Sequence, residues 1–297
     1  MNSMILTPRY LFNEIPDGHK KVEEFGRKAC NLSLAKKWQF YVPDTVFLSG
    51  ELVREIYEQK SIPTEILSHF ENKLLAIRPS PVLGHFTKSE QFLHIGLDNQ
   101  SFDVLIKRVG VTNASAIYIS FLRVFALTIY NLDLENCDEL RRLLEISKSE
   151  KRVSRENVLN KISRIKQLIS LETGSVFPRS TAEQLIAVIN SIYKSWISPT
   201  QKILREVSGR NSEESIPIIL QEMHSGITGS PVEYFKVKNF DDKTGRSSLK
   251  CYRLDNKSNR SSHTVVNAKE VNKLFKDNSL DNLIRTLTKK VNSPLEV

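Results

Sequence analysis

Three cations sit where the chain could meet an anionic ligand: Lys28, Arg78 and Arg123. Lys28 falls just inside the start of a helix expected over Arg27 to Trp38. An ammonium there would add to the backbone N–H groups that make a helix start attractive to phosphate. Taken alone, a lysine in a glycine-poor segment is more often solvated. Arg78 closes the apolar run Lys73 to Arg78, which reads as a strand, so a structural ion pair at a strand end explains it equally well. Arg123 interrupts the apolar stripe Ile117, Phe121, Val124, Phe125, Thr128 and Ile129. It would reach a phosphate, or snorkel, or pair with a carboxylate. Arg and Lys can stabilise charge on a transferred phosphoryl group, but type and position alone do not select these three residues for it.

Other chemistries find little support. His19, His69, His85, His94 and His224 have no metal-ligand spacing, and no Ser/His/Asp or Cys/His arrangement is visible. Cys30, Cys137 and Cys251 lie far apart, an odd set that suits a reducing compartment and reads as cytoplasmic. The Met1 to Lys20 segment lacks a secretory pattern, and the most apolar stretch, Ala114 to Leu134, reads as a buried helix, so no membrane is expected. A net charge of +9 favours an anionic partner without naming it. Aromatics are not interleaved with the basic residues of the C-terminal third, so nucleic acid is not the expected partner.

The elements that must position these groups form a mixed pattern. Val42 to Leu48, Lys73 to Arg78 and Leu93 to Leu97 read as strands, the last ending in an Asp98-Asn99 turn. Gly50 to Gln59 reads as a helix. From Ala114 the chain becomes helical, through Leu140 to Ile146 and a helix carrying Val158, Ile162, Ile165 and Leu168 behind a Ser154/Asn157 N-cap. Thr181 to Glu206 is helical, split or kinked at Pro199, with Leu185, Val188, Ile189, Ile192, Trp196 and Ile203 expected to face inward. Ile216 to Met223 reads as a buried strand, so Gln221, Glu222 and Met223 would ordinarily be no more than its end. Val232 to Val237 and Leu249 to Leu254 suggest a hairpin around Lys243-Thr244-Gly245. A polar turn over Asn256 to Ser262 and an amphipathic helix from about Ala268 to Lys290 complete the expectation.

Five segments, in order from Phe25 to Met223, resemble the N-terminal nucleotide-binding domain of pyruvate phosphate dikinases and phosphoenolpyruvate synthases. Gly26-Arg27-Lys28-Ala29-Cys30-Asn31-Leu32 is similar to the family's Gly-Gly-Lys-Gly-Ala-Asn-Leu segment. Val42-Pro43-Asp44-Thr45-Val46-Phe47 resembles Val-Pro-Pro-Gly-Phe, and Ile77-Arg78-Pro79-Ser80-Pro81 resembles Val-Arg-Ser-Ser-Ala. Ser120 to Phe125 looks like the Ser-Tyr-Arg-Arg-Phe helix. Glu172-Thr173-Gly174, Phe177-Pro178, Gln184-Leu185, Lys194-Ser195-Trp196-Ile197-Ser198-Pro199 and Leu220-Gln221-Glu222-Met223 look like its Glu-Thr-Gly, Phe-Pro, Gln-Leu, Arg-Ser-Trp-Asn-Ser-Pro and Val-Gln-Ala-Met pattern.

The resemblance implies an α+β, ATP-grasp-like fold: a first lobe over 1–110, a helical insertion over 111–176, the return of the first lobe over 177–225, and a shortened second lobe with a C-terminal helix over 226–297. It implies ATP as ligand, Lys28 and Arg78 on the phosphates, Gln221, Glu222 and Met223 along the base, and Arg123 as a nucleotide-binding residue if it reaches a phosphate. Lys28 and Arg78 are the catalytic pair that it implies.

The departures are specific. Two family glycines are replaced by Arg27 and Ala29, and Pro79 and Pro81 remove two N–H donors beside Arg78. The family's magnesium-holding Glu strand and Gln-x-Arg strand find no counterpart, so Mg2+ would lack its family ligands in this chain. The expectation is therefore a nucleotide-binding module that transfers phosphate only if a protein partner completes the site. The alternative is a non-catalytic binding or regulatory module. Ser261-Ser262-His263-Thr264-Val265-Val266 is similar to the family's swivelling-histidine segment but lacks its glycine pair, and His263 reads as a surface or strand histidine.

Overall fold

The computed structural model describes residues 9–15, 21–37, 42–82, 92–145, 154–223, 233–241, 246–254 and 261–267. The turn at Lys243-Thr244-Gly245, the helix expected over Ala268 to Lys290, Trp38, His19, His85 and His224 lie outside the described residues. The chain divides into two compact units, Met1–His224 and Ser225–Val297.

The first unit is mixed α+β. Its elements run β1 (Tyr10–Phe12), α1 (Lys21–Lys37), β2 (Thr45–Leu48), α2 (Gly50–Gln59), α3 (Thr64–His69), β3 (Leu75–Pro79), β4 (Phe92–Ile95), α4 (Asn99–Val124), α5 (Asp138–Leu144), α6 (Arg155–Thr173), α7 (Thr181–Trp196), α8 (Pro199–Val207) and β5 (Ile218–Glu222). The five strands form one antiparallel sheet in the order β1-β2-β5-β3-β4.

The central strands are short apolar runs because both faces of the sheet are covered. Val46, Leu48, Leu75, Ile77, Ile218 and Leu220 join the larger core with α2, α4, α6 and α7. Phe47 and Ile219 point the other way, into a small cluster with Ile15 and with Phe25 and Ala29 of α1. Alternation along a strand places Thr45, Gln221, Ala76 and Arg78 on that second face as well. One face is thus apolar over Val46, Leu48, Leu75, Ile77, Ile218 and Leu220 and ends at Glu222, while the α1 face mixes apolar and polar side chains.

Local chemistry explains the helix boundaries. Ser49 Oγ accepts from the Leu52 N–H to start α2, and Lys60 ends it in a left-handed conformation. Ser154 Oγ accepts from the Asn157 N–H, as the sequence led us to expect. Ser180 and Glu183 form a capping box on α7. Pro199 begins α8, so the expected Thr181 to Glu206 helix is split there.

Several expectations need correction. Asp98 and Asn99 do not form a strand-ending turn: Asp98 caps α4 reciprocally with Ser101, and α4 begins fifteen residues before Ala114. A kink at Gly110 (φ 80°, ψ 160°) breaks the phase of its apolar stripe, which hid the first half of the helix. The stripe's end, Phe125–Ile129, is a π-turn, with the Tyr130 N–H bonded to Phe125 O at 2.9 Å.

Ile203 does not face inward; it is 58% exposed, while Arg205 on the same helix is 1% exposed. The Arg205 guanidinium lies 4.2 Å from the Trp196 ring centroid and donates to Trp196 O and Ser212 O at 2.9 and 2.6 Å. These bonds set the rotation of α8 and turn Ile203, Leu204 and Val207 outward.

The second unit contains a three-stranded antiparallel sheet of β6 (Glu233–Asp241), β7 (Arg246–Leu254) and β8 (Ser261–Asn267), in that order. The first two strands are the expected hairpin. The third starts inside the segment expected to be a polar turn and puts His263 opposite Tyr252.

Candidate nucleotide site

Gly26 is where the site begins. It stands inside α1 at φ 78°, ψ 168°, so the helical segment 27–37 starts afresh after it. A side-chain carbon built on Gly26 would lie 1.4 Å from Ser80 O, so only glycine allows the two backbones to meet this closely. The Ala29 N–H donates to Ser80 Oγ at 3.1 Å, and the Arg27 N–H to Pro81 O at 3.5 Å. Ser80 is fully buried, and its own N–H donates to Pro217 O at 2.9 Å.

Packing therefore brings the Lys28 segment and the Arg78 segment together. Lys28 is half-buried in the first turn of 27–37, between Arg27 and Ala29, both of which bond to the turn that follows Arg78. Arg78, also half-buried, pairs with Ile219, which pairs in turn with Phe47. Gln221 lies one row along on the same face, about 7 Å away by strand geometry. Its side chain is 5% exposed and donates from Nε2 to Thr45 Oγ1 at 3.1 Å.

Glu222 points to the other face. Its carboxylate Oε2 lies 3.1 Å from Lys73 Nζ, which also reaches Asp44 Oδ2 at 2.8 Å. The Lys73 hydrogen bond is the main reason the Asp44 carboxyl is held below its ordinary value; desolvation opposes it, and Asn13 adds a second hydrogen bond. The same bonds, first to Asp44 and then to Glu222, raise Lys73. The Glu222 N–H donates to Asp44 O, and the Met223 N–H to Leu74 O, both at 2.8 Å. Met223 Sδ accepts from the His94 N–H at 3.0 Å. Burial pushes the His94 imidazole down to about 4.

Arg123 stands apart from the other site residues. It is exposed on α4, whose Phe102, Leu105, Tyr118, Phe121 and Leu122 pack into the core on the sheet face opposite α1. Among the described residues, no group of three or more His, Cys, Asp or Glu is placed to hold a metal ion, so no magnesium step can be derived from them.

Sequence reasoning missed Ser80 and Lys73 as site residues. The signal for Ser80 was the Pro-Ser-Pro turn directly after Arg78, read only as a loss of donors. Lys73 carried no signal, because its two carboxylate partners come from distant strands. In comparison with known proteins, the chain matches no protein-family profile and no curated protein.

Proposed function

We propose that the first unit is a nucleotide-binding module of the dikinase and synthase type, with ATP as its ligand. In this reading Lys28 and Arg78 attract the phosphates, and Gln221, Glu222 and Met223 run along the base. The observation that carries it is the meeting of two segments far apart in sequence, at the Ala29 N–H to Ser80 Oγ bond. That contact sets Lys28 beside the turn following Arg78, on the sheet face that also carries buried Gln221. Phosphotransfer would need magnesium ligands and further phosphate contacts in addition to these residues, and a partner protein is one source of them.

The test is a thermal shift or titration calorimetry with Mg-ATP on wild type, Lys28→Ala and Arg78→Ala. A ligand at about one hundred times Kd stabilises the folded state by about 2.7 kcal/mol. Wild type should shift upward and each variant should shift less. No shift of wild type at millimolar ATP would sink the reading.

A second reading, a binding or regulatory module without turnover, is favoured by the hydrogen bonding at the two ends of the site. Backbone donors at both ends of the site already have partners in the chain: Arg27 and Ala29 at one end, Glu222 and Met223 at the other. ATP hydrolysis measured with and without candidate partner proteins separates the two, since this second reading allows no turnover in either case.

A further inference from the structure

We infer that the chain closes the Arg27 and Ala29 amides at the start of α1 segment 27–37 with its own Pro81 and Ser80, so that a nucleotide on this face is held by side-chain cations and by its base rather than by those two amides. The ligand half of this inference rests on the nucleotide reading above. The contact itself does not.

A helix start leaves its first amides without partners inside the helix, and a side chain at the N-cap ordinarily takes one of them. Here the N-cap position is Gly26, which has no side chain to offer. Ser80 supplies the missing acceptor from 51 residues away, through the Ala29 N–H to Ser80 Oγ bond. Ala29 is the third residue of the new helical segment, the position that an N-cap hydroxyl commonly serves. Pro81 O takes the amide of the first residue, Arg27. A phosphate oxygen approaching this helix start would have to compete with an acceptor that the fold has already installed.

That acceptor is held firmly. Ser80 is 0% exposed, its N–H is bonded to Pro217 O, and its carbonyl is seated against Gly26. Pro79 and Pro81, on either side, restrict the backbone of the turn. Releasing Ser80 would break its bonds to Ala29 and Pro217 and strand buried polar groups, an expensive exchange for one phosphate contact. What remains for the phosphates is attraction to side chains, which salt screens far more effectively than it weakens a buried amide contact.

Two measurements decide it. The first is amide hydrogen exchange at Ala29 in wild type and Ser80→Ala, with Ser80→Thr as a hydroxyl-keeping control if the alanine variant folds poorly. Loss of the cap should speed exchange at Ala29 about tenfold. Protection in wild type that survives in Ser80→Thr and is unchanged by excess inorganic phosphate supports the closed amide. An Ala29 amide that exchanges freely in wild type, or whose exchange shifts with phosphate, overturns it. The second is the ratio of ATP to adenosine affinity in the Lys28→Ala/Arg78→Ala double variant. A ratio near one supports anchoring by side chains, and a ratio that stays above about ten means that amides still hold phosphate. If wild type binds neither ligand, the nucleotide reading fails, and the exchange data still decide whether Ser80 closes the Ala29 amide.

Discussion

Lys73 ties down Glu222 at the last residue of β5, with Nζ 3.1 Å from Oε2, while holding Asp44 at 2.8 Å with the same ammonium. One cation thereby joins the start of β3 to the end of β5 and to the loop entering β2, where the ends of the three central strands would otherwise fray. All three side chains are partly exposed, at 30%, 22% and 38%, so the pairs are screened and the gain is modest. Lys73→Met should cost about 1 kcal/mol in urea denaturation near neutral pH, chiefly because two carboxylates are left facing each other.

The pH dependence of that clamp follows from its direction of shift. Asp44 is depressed from its ordinary 3.8, so its contribution is present above that value and is lost as pH falls through the lower folded value. Lys73 is raised from 10.5, so its contribution is present below that value and is lost only as pH climbs beyond it. The difference in stability between wild type and Lys73→Met should be flat across the neutral range and shrink in strong acid. A difference that changes between neutral and mildly acidic pH would contradict this assignment.

His94 predicts a separate acid transition. Its imidazole is pushed from 6.5 down to about 4 by burial, so the unfolded chain takes up a proton first as pH drops. Stability should therefore fall between those two values, by about 2 kcal/mol after allowing for the side chain's partial exposure. His94→Asn should flatten that part of the curve. Asparagine tolerates the left-handed backbone at this position, where φ is 63°, so the substitution tests charge without adding strain.

Gly26 and Gly110 have nearly the same φ, 78° and 80°, yet alanine should affect them differently. At Gly26 the new methyl meets Ser80 O at 1.4 Å, and at Gly110 nothing lies within 4 Å. Gly110→Ala should cost about 1 kcal/mol for backbone strain alone, whereas Gly26→Ala should cost about 3 kcal/mol or more because the strand turn must move. Equal midpoints for the two variants in chemical denaturation would show that Gly26 and Ser80 are not in close contact.

Arg205 should be the most costly residue on α8 to remove. Arg205→Ala strands Trp196 O and Ser212 O and takes a cation from the Trp196 ring, at a cost of about 3 kcal/mol in thermal denaturation. Val207→Ser, at a residue 81% exposed, should stay within about 0.5 kcal/mol. The reverse ranking would turn the apolar side of α8 toward the core, the orientation expected for Ile203.

Much of the secondary structure was legible residue by residue. Thr45–Leu48, Leu75–Pro79 and Ile218–Glu222 were readable as short apolar runs because the sheet is covered on both faces. The Ser154 cap and the Pro199 split are local chemistry, settled within a turn of helix. Periodicity failed at α4, where Gly110 shifts the stripe out of phase, and at α8, where a buried arginine outweighs three apolar side chains.

The site was legible only in its parts. The family resemblance, rather than residue type, marked Lys28, Arg78 and Gln221 as candidates, and Gly26 and Ser80 were visible as members of two short segments. By itself the sequence determined β2, β3 and β5, most of α2, α6 and α7, and several helix caps, because those choices depend on neighbours a few residues away. Tertiary structure alone decided that Ser80 caps a helix 51 residues earlier in the chain, that Lys73 bridges two carboxylates, and that Arg123 stands on a helix in the other layer. Those outcomes depend on strand order and on the close approach of distant backbones, which no local spacing encodes.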